Sequence, residues 1–185
     1  RLEARDVPED LLVKLIDAAN QAPSGSNLQN AVWIVVRDAG VRQQLADLNR
    51  AGVTAYLGGE RQRVDGLQHQ SADKRSRMLD AVEWQMEHMH EIPALIVACM
   101  DFGVPMNDLM YAHGGGSVWP GIQNLLLAAR ALGLGAAPTT LALGNRAAVA
   151  ETLGLPETMV AYCLIPVGYP LGNFGPVKRK PVDAV

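Results

Sequence analysis

The sequence predicts an α+β fold for this chain of 185 residues. Three short runs of apolar and β-branched residues, 31–36, 95–100 and 160–168, have the length and composition of buried strands. The longer segments between them carry apolar residues at helical spacing. Hydrophobic residues make up 49% and charged residues 19%, which is typical of a globular chain, and the length favours one domain spanning residues 1–185.

The first helix has the clearest boundaries. Glu9 and Asp10 follow Pro8, and acidic side chains in a first turn interact favourably with the positive end of the helix dipole. Apolar residues then recur at helical spacing until Pro23 and Gly25 end the segment. Further helices are predicted over residues 39–50, from Ser71 or Asp73 to about His90, from about Ser117 to Leu132, and over 145–153.

The segment 52–80 has the weakest pattern. Four glycines interrupt its mostly polar residues, which predicts loops with short helical turns. Surface loops of this kind often carry specificity, so we expect the segment to influence substrate choice, with Arg61 and Arg63 as the candidate charged contacts. Residues 136–143 are predicted to be a short extended piece.

Charge and hydropathy exclude several classes of partner. The net charge of −3 gives no electrostatic basis for binding nucleic acid or an anionic membrane surface, and no uninterrupted apolar run reaches the ~18 residues of a membrane-spanning helix. Cys99 and Cys163 both lie in apolar runs. We therefore expect two buried thiols, a reducing cytoplasmic location, and no disulfide framework.

Two histidine motifs suggest chemistry that the rest of the sequence does not support. His113-Gly114-Gly115-Gly116 resembles the oxyanion loop of esterases, but the sequence contains no Gly-x-Ser-x-Gly nucleophile elbow. The glycines instead indicate close backbone approach by another helix or a flat ligand. His88 and His90 lie two residues apart, whereas ligands on one helical face need a spacing of three or four, so no metal site is predicted.

The most informative segment joins the first helix to the first strand. It places two hydroxyls and three amides within seven residues: Ser24, Ser26, Asn27, Gln29 and Asn30. Such groups can form hydrogen bonds with a polar heterocycle or a polyol. A helix end followed by a turn is the competing interpretation, and it accounts for Pro23 and Gly25.

This segment resembles the fingerprint of the FMN-dependent nitroreductase family, Ala-Pro-Ser-x-x-Asn-x-Gln-Pro-Trp. Asn30 stands where the family has proline, and Trp33 lies further along. Other segments also resemble the family in order and spacing, so that the likeness covers nearly the whole chain and is weakest over 52–92. These segments are 7–12, 123–136, 138–141, 153–157, 166–170 and 178–181.

The resemblance implies a mixed, mostly antiparallel sheet flanked by helices, in an intertwined homodimer whose interface builds the cofactor pocket. The apolar central helix agrees with this, because a helix that is apolar on most sides needs partners to cover it. The implied cofactor is FMN, with NADH or NADPH as co-substrate. The implied reaction is ping-pong hydride transfer through flavin N5 to a nitroaromatic, a quinone or a similar flat small molecule.

The resemblance also implies the residues of the site. Catalysis would use flavin N5 and the backbone near Thr140, with no catalytic side chain. Arg179, helped by Lys178, would pair with the phosphate, and Arg1 is a weaker candidate because the family's arginines are expected upstream of it. The other implied cofactor contacts are Pro23, Ser24, Asn27, Gln29, Ser117, Pro138, Thr139, Thr140 and Leu141.

Two alternatives stay open within the same fold. One is a flavin dehydrogenase that acts on a biosynthetic or peptide-derived substrate without a nicotinamide. The other is a flavin-binding protein with little turnover. The sequence does not identify the acceptor, nor does it distinguish NADH from NADPH.

Overall fold

The computed structural model describes residues 1–65, 70–175, 177 and 179–184, and at 59–65, 109, 110 and 184 it describes the backbone alone. The helices and strands follow one another along these residues. In chain order they are α1 (Glu9–Asn20), β1 (Ala31–Val36), α2 (Ala39–Asp65), α3 (Ala72–His88), β2 (Ala94–Asp101), α4 (Asp108–Gly114), α5 (Trp119–Ala131), β3 (Gly135–Ala136), α6 (Arg146–Leu153) and β4 (Met159–Gly168).

The described strands form one sheet in the order β1-β2-β4-β3, and each neighbouring pair is antiparallel. Val32 lies opposite Cys99 in the first pair, and Leu95 lies opposite Pro166 in the second. Strand β2 is buried over residues 94–100, as expected for a central strand covered on both faces. The predicted α+β class is confirmed, and the three predicted strands are all present.

Alternating residues of β2 face two separate cores, because successive side chains of a strand point to opposite faces. Ile96, Ala98 and Met100 pack with α1 and α5 on one face. Leu95, Val97 and Cys99 pack with α2 and α6 on the other face. The sheet is therefore a middle layer between two layers of helices.

The helix layer of α1 and α5 depends on a glycine. A Cβ at Gly121 would lie 3.0 Å from the carbonyl oxygen of Ala19 and 3.0 Å from the Trp33 ring. Asn124 then donates its side-chain amide to the Ala18 carbonyl at 3.2 Å. This close crossing brings the end of α1 next to the start of α5, where the informative segment 22–33 begins.

The prediction of loops is wrong over residues 52–65, whereas the helix predicted to begin at Ser71 or Asp73 is present. Helix α2 continues to Asp65, and α3 begins at Ala72 with Ser71 as its N-cap, whose hydroxyl accepts from the Lys74 amide. Tertiary packing outweighs the low helix propensity of glycine here, since Gly52 is in close contact with the Leu141 carbonyl. Residues 66–69 lie outside the described part of the chain, as do the side chains of Arg61 and Arg63.

The extended piece predicted over 136–143 is also shorter than expected. Strand β3 covers only Gly135–Ala136, Thr139 forms an isolated bridge with Leu164, and a 3-10 turn runs over Leu141–Asn145. In the described chain, no helix combines the length and apolar character needed to cross a membrane.

The two cysteines are buried thiols on opposite faces of the sheet. Burial raises the pKa of each from about 9 to about 12, because the low-polarity core disfavours the thiolate. Both thiols are expected to resist a thiol-reactive disulfide reagent until the protein unfolds, since the thiolate is the reacting species.

The same shifts predict a loss of stability in alkali. Between pH 9 and 12 the unfolded chain ionises its thiols and the folded chain does not, so the free energy of unfolding falls as the pH rises. Two thiols contribute a slope of about 2.7 kcal/mol per pH unit. Urea unfolding across this range measures the slope, and the double variant Cys99→Ala/Cys163→Ala should lose it. An equal slope in that variant would assign the effect to other groups.

Candidate functional site

A first cavity of about 170 Å³ lies where the end of α1, the segment 24–29, β1 and the start of α5 meet. We call it the loop cavity. Three predicted cofactor contacts line it: Ser24, Gln29 and Ser117. The other lining residues are Ala19, Asn20, Ala22, Ala31, Trp33 and Gly121. Pro23 and Asn27 are exposed in the same segment but are not part of this lining.

The hydroxyls of the loop cavity hold its backbone in place. The Gly25 amide donates to Ser117 Oγ at 2.9 Å, which connects residues 92 positions apart in the chain. The Gln29 amide donates to Ser24 Oγ at 3.0 Å. Each hydroxyl still has its own hydrogen to donate, because a hydroxyl is one donor and two acceptors. Both side chains can therefore organise the segment and bind a ligand.

The segment has an unusual backbone. Ser26, Asn27 and Gln29 have φ angles of 51°, 53° and 51°, in the left-handed region that favours glycine. Each such residue costs on the order of 1–3 kcal/mol, and strain of this kind is concentrated at ligand sites. These three side chains are exposed, so packing in a core does not explain the conformation.

The residues that depart from the family fingerprint have structural roles. Asn30 donates its side-chain amide to the Asp101 carbonyl at 2.9 Å, and the Asp101 amide donates to the Asn30 carbonyl at 3.0 Å. These bonds connect the start of β1 to the end of β2. Trp33 donates from Nε1 to Asn20 Oδ1 at 2.9 Å and forms one wall of the loop cavity.

A second cavity of about 320 Å³ contains Arg1 and Pro138, two more of the predicted contacts. We call it the α3 cavity, because one face of α3 forms a wall of it. The other lining residues are Leu2, Met78, Ala81, Val82, Trp84, Gln85, Ile92, Gly135, Ala136, Ala137 and Phe174.

The α3 wall was missed by sequence reasoning. Met78, Ala81, Val82 and Gln85 have the spacing i, i+3, i+4 and i+7, which is one face of a helix. That signal is present in the sequence, within the helix predicted from Ser71 or Asp73 to about His90, but the sequence analysis assigns none of these residues to the site. The wall is apolar apart from the Gln85 amide, so it suits a flat, mostly apolar ligand.

Next to Pro138, a backbone amide is free to bind a ligand. Thr139 is buried, and its amide and carbonyl pair with Leu164 at 2.8 and 2.9 Å. Thr140 is exposed, and within the described residues no acceptor lies in hydrogen-bond reach of its N–H. The Leu141 amide donates a hydrogen bond to Thr139 Oγ1 at 3.3 Å. Thr140 is thus an exposed donor between two anchored neighbours.

The single chain does not bring all the predicted residues together. Ser24, Gln29 and Ser117 line the loop cavity, while Arg1 and Pro138 line the α3 cavity. Arg179 is exposed and lines neither cavity, and Lys178 lies outside the described residues.

Two of the three glycines after His113 serve packing, and a Cβ at the third, Gly116, would meet nothing within 4 Å. A Cβ at Gly114 would lie 2.5 Å from the Phe102 ring and 2.6 Å from the Tyr162 hydroxyl, and one at Gly115 would lie 3.0 Å from the Tyr162 ring. The close approach predicted at these glycines is therefore made by aromatic side chains, and His113 is exposed.

His88, near the end of α3, has conventional partners. His88 stacks on Trp84 with ring centroids 4.8 Å apart, and its Nδ1 lies 3.1 Å from Glu91 Oε2. Over the part of the chain that the structure describes, no group of three or more histidine, cysteine or acidic residues is arranged to hold a metal ion.

The comparisons with known proteins agree on a family. Residues 1–169 match the Nitroreductase family. A protein of Methanothermobacter thermautotrophicus with the provisional name NADH dehydrogenase/NAD(P)H nitroreductase is 25% identical over 183 residues, which are 95% of this chain and 73% of that protein. Iodotyrosine deiodinase of Thermotoga neapolitana is 26% identical over 171 residues, which are 92% of this chain and 82% of the deiodinase.

A solved structure agrees with the same fold. Oxidized iodotyrosine deiodinase, crystallised with FMN and 3-iodo-L-tyrosine, superposes with a TM-score of 0.72 at 23% identity. The superposition covers 98% of this chain and 89% of the other.

Proposed function

The chain belongs to the Nitroreductase family, and we propose that it is an FMN-dependent oxidoreductase. It takes hydride from NADH or NADPH and reduces a nitroaromatic, a quinone or a similar flat acceptor. The observation that carries this proposal is the exposed N–H of Thr140, which lies two residues after Pro138 in the lining of the α3 cavity. When bound, FMN supplies the hydride chemistry, and the protein supplies binding, orientation and electrostatics.

The α3 cavity and the Thr140 N–H together fit a flavin. An exposed backbone donor beside an apolar wall can orient a flat heterocycle and stabilise charge that develops on a ring nitrogen. Met78 and Val82 provide apolar surface, and Gln85 provides one amide that can bind a polar ring edge. We assign the Thr140 N–H to the ring nitrogen that exchanges hydride, with Pro138 and Leu141 as its neighbours in the site.

The loop cavity suits the polar parts of FMN. Ser24, Gln29 and Ser117 offer two hydroxyl donors and an amide within one small cavity. We assign them, together with Asn27, to the ring edge or the ribityl chain. We assign the phosphate to Arg179, helped by Lys178, and to Arg1, because a guanidinium can bind two phosphate oxygens at once.

We further propose that two copies of the chain build each site. On one chain, the predicted cofactor-binding residues are divided between the loop cavity and the α3 cavity. A complete site can therefore combine the loop cavity of one protomer with the α3 cavity of another. Helix α5 also exposes large apolar side chains, Trp119 and Leu127, at 42% and 59%. We assign this stripe of α5 to the interface, where a second protomer would cover both side chains. In this arrangement, the loop cavity of one protomer faces the α3 cavity of the other.

A second candidate function has support from a relative. The chain is 26% identical to iodotyrosine deiodinase and 25% identical to the protein named as an NAD(P)H nitroreductase. Sequence identity therefore does not favour one relative over the other. A flavin enzyme that reduces or oxidises a peptide-derived or amino-acid substrate is therefore the alternative. It differs in the substrate and not in the flavin site.

Cofactor identity is the first test. The purified protein should absorb at flavin wavelengths, and heat should release FMN that migrates with an FMN standard. Recovery of FAD, or failure of the chain to bind FMN added to it, would contradict the proposal.

Anaerobic rapid mixing distinguishes the two candidates. NADH or NADPH should reduce the bound flavin at a rate that supports turnover, and a nitroaromatic or a quinone should reoxidise it. Enzyme reduced by dithionite and then reoxidised by 3-iodo-L-tyrosine, but not reduced by either nicotinamide, would favour the second candidate. Flavin reduction too slow for turnover with every donor would indicate a flavin-binding protein instead.

A further inference from the structure

We propose that Asn49 and Gly52 of α2 are positioning residues that fix the direction of the Thr140 N–H. This inference rests on the proposed function for what the amide binds, and on the structure for how the amide is held. Neither residue lines the loop cavity or the α3 cavity. Both act on the two neighbours of Thr140 from the buried side.

Asn49 anchors Thr139. Its side chain is fully buried, and its Oδ1 accepts a hydrogen bond from Thr139 Oγ1 at 3.3 Å. The same Oγ1 accepts from the Leu141 amide at 3.3 Å. The hydroxyl therefore has a defined direction: it donates to α2 and accepts from the residue after Thr140. The backbone pairing of Thr139 with Leu164 completes the anchor.

Gly52 sets the position of Leu141. A Cβ at Gly52 would overlap the Leu141 carbonyl oxygen and lie 2.7 Å from its carbonyl carbon. These are backbone atoms, so no flexible side chain can move aside to make room. Any side chain at this position would push α2 and the Leu141 peptide apart, and the Thr140 peptide would move with it.

Stability alone does not explain the asparagine. Asn49 Nδ2 is buried, and no described residue accepts a hydrogen bond from it. A buried donor without a partner costs about 1–3 kcal/mol, whereas leucine has the same branched arrangement of side-chain heavy atoms and no donor to satisfy. A polar side chain at this position despite that cost agrees with a role in holding the Thr139 hydroxyl in one orientation.

The chain offers matched variants. Thr139→Val removes the hydroxyl at nearly constant volume, and Thr139→Ser restores it. Gly52→Ala introduces the clash with Leu141. Gly58→Ala, in the same helix, is its control, because a Cβ at Gly58 meets nothing within 4 Å. Asn49→Leu removes the acceptor from the pair.

The first measurement uses the protein without FMN. Amide hydrogen exchange followed by NMR should show the Leu141 amide exchanging about tenfold faster in Thr139→Val, because it loses its acceptor, and at the wild-type rate in Thr139→Ser. The Thr140 and Leu141 amide resonances should shift in Gly52→Ala and stay in place in Gly58→Ala. Unchanged exchange in Thr139→Val would overturn the anchor.

The second measurement uses the protein with FMN bound. The Thr140 amide can bind the oxidised and the reduced flavin with different strength. A tenfold change in the ratio of these two binding constants shifts a two-electron midpoint potential by about 30 mV. Thr139→Val, Asn49→Leu and Gly52→Ala should each shift the potential of the bound FMN by about this amount or more. Thr139→Ser and Gly58→Ala should keep the wild-type potential.

The two measurements separate the possible failures. If the wild-type chain binds no FMN, the proposed function fails, and amide exchange still tests the anchor. If FMN binds but its potential is the same in Thr139→Val as in wild type, the positioning role is wrong. The Thr139→Val and Thr139→Ser pair decides the matter even if Gly52→Ala does not fold.

Discussion

Leu127→Glu is expected to convert the protein to a monomer and to remove its FMN. Leu127 is 59% exposed on α5. It lies one turn after Gln123 and two turns after Trp119, on the same stripe of the helix. Burying a leucine at an interface contributes about 1.5–3 kcal/mol, and burying an unpaired carboxylate there costs several more. The dimer dissociation constant should therefore rise by at least about two decades.

Analytical ultracentrifugation at flavin and protein wavelengths measures both effects in one experiment. Val104→Glu is the control, since Val104 is 49% exposed in the loop between β2 and α4 and the variant gains the same charge. A Leu127→Glu monomer that keeps FMN with wild-type affinity would show that one chain builds the whole site. A Leu127→Glu dimer would place the interface on another surface.

The strands and the core could be predicted from sequence because burial leaves a strong local signal. Residues 94–100 are apolar without interruption, and the structure covers that strand on both faces. Helix α1 was equally clear, since acidic residues open it and a proline and a glycine follow its end. In these elements, local preference and tertiary packing favour the same conformation.

Helix α2 beyond residue 50 could not be predicted in this way. Its glycines reduce helix propensity, and the compensating contact is made by Leu141, about ninety residues later in the chain. A local pattern does not contain that contact. The short strand β3 is a similar case, because Gly135 and Ala136 extend the sheet only where β4 offers an edge to pair with.

The sequence offers candidate residues for the site but does not show how they come together. The resemblance to the family implies Ser24, Gln29 and Ser117 as cofactor contacts, and in the structure all three line the loop cavity. Asn49 lies far from every motif in the sequence, and only the folded chain shows its bond to Thr139. Residues that act through the backbone of a neighbour leave no side-chain signature.

Arg179→Ala is expected to weaken FMN binding by one to two decades. Arg179 is exposed in the C-terminal segment, and we assign its guanidinium to the phosphate. A charge-assisted contact with two parallel hydrogen bonds is worth about 1.5–3 kcal/mol. Arg179→Lys should recover only part of the affinity, because an ammonium keeps the charge but loses the planar fork.

Fluorescence titration of the apoprotein with FMN and with riboflavin gives the dissociation constants. Riboflavin has no phosphate, so Arg179→Ala should leave its affinity unchanged while that for FMN falls. Lys14→Ala is the control for charge, since Lys14 is an exposed residue of α1 that pairs with Asp10 at 3.0 Å. If Arg179→Ala binds FMN as tightly as wild type does, the phosphate is held elsewhere, and Arg1 becomes its candidate. Equal losses for FMN and riboflavin would show that Arg179 supports the flavin ring or the fold and does not bind the phosphate.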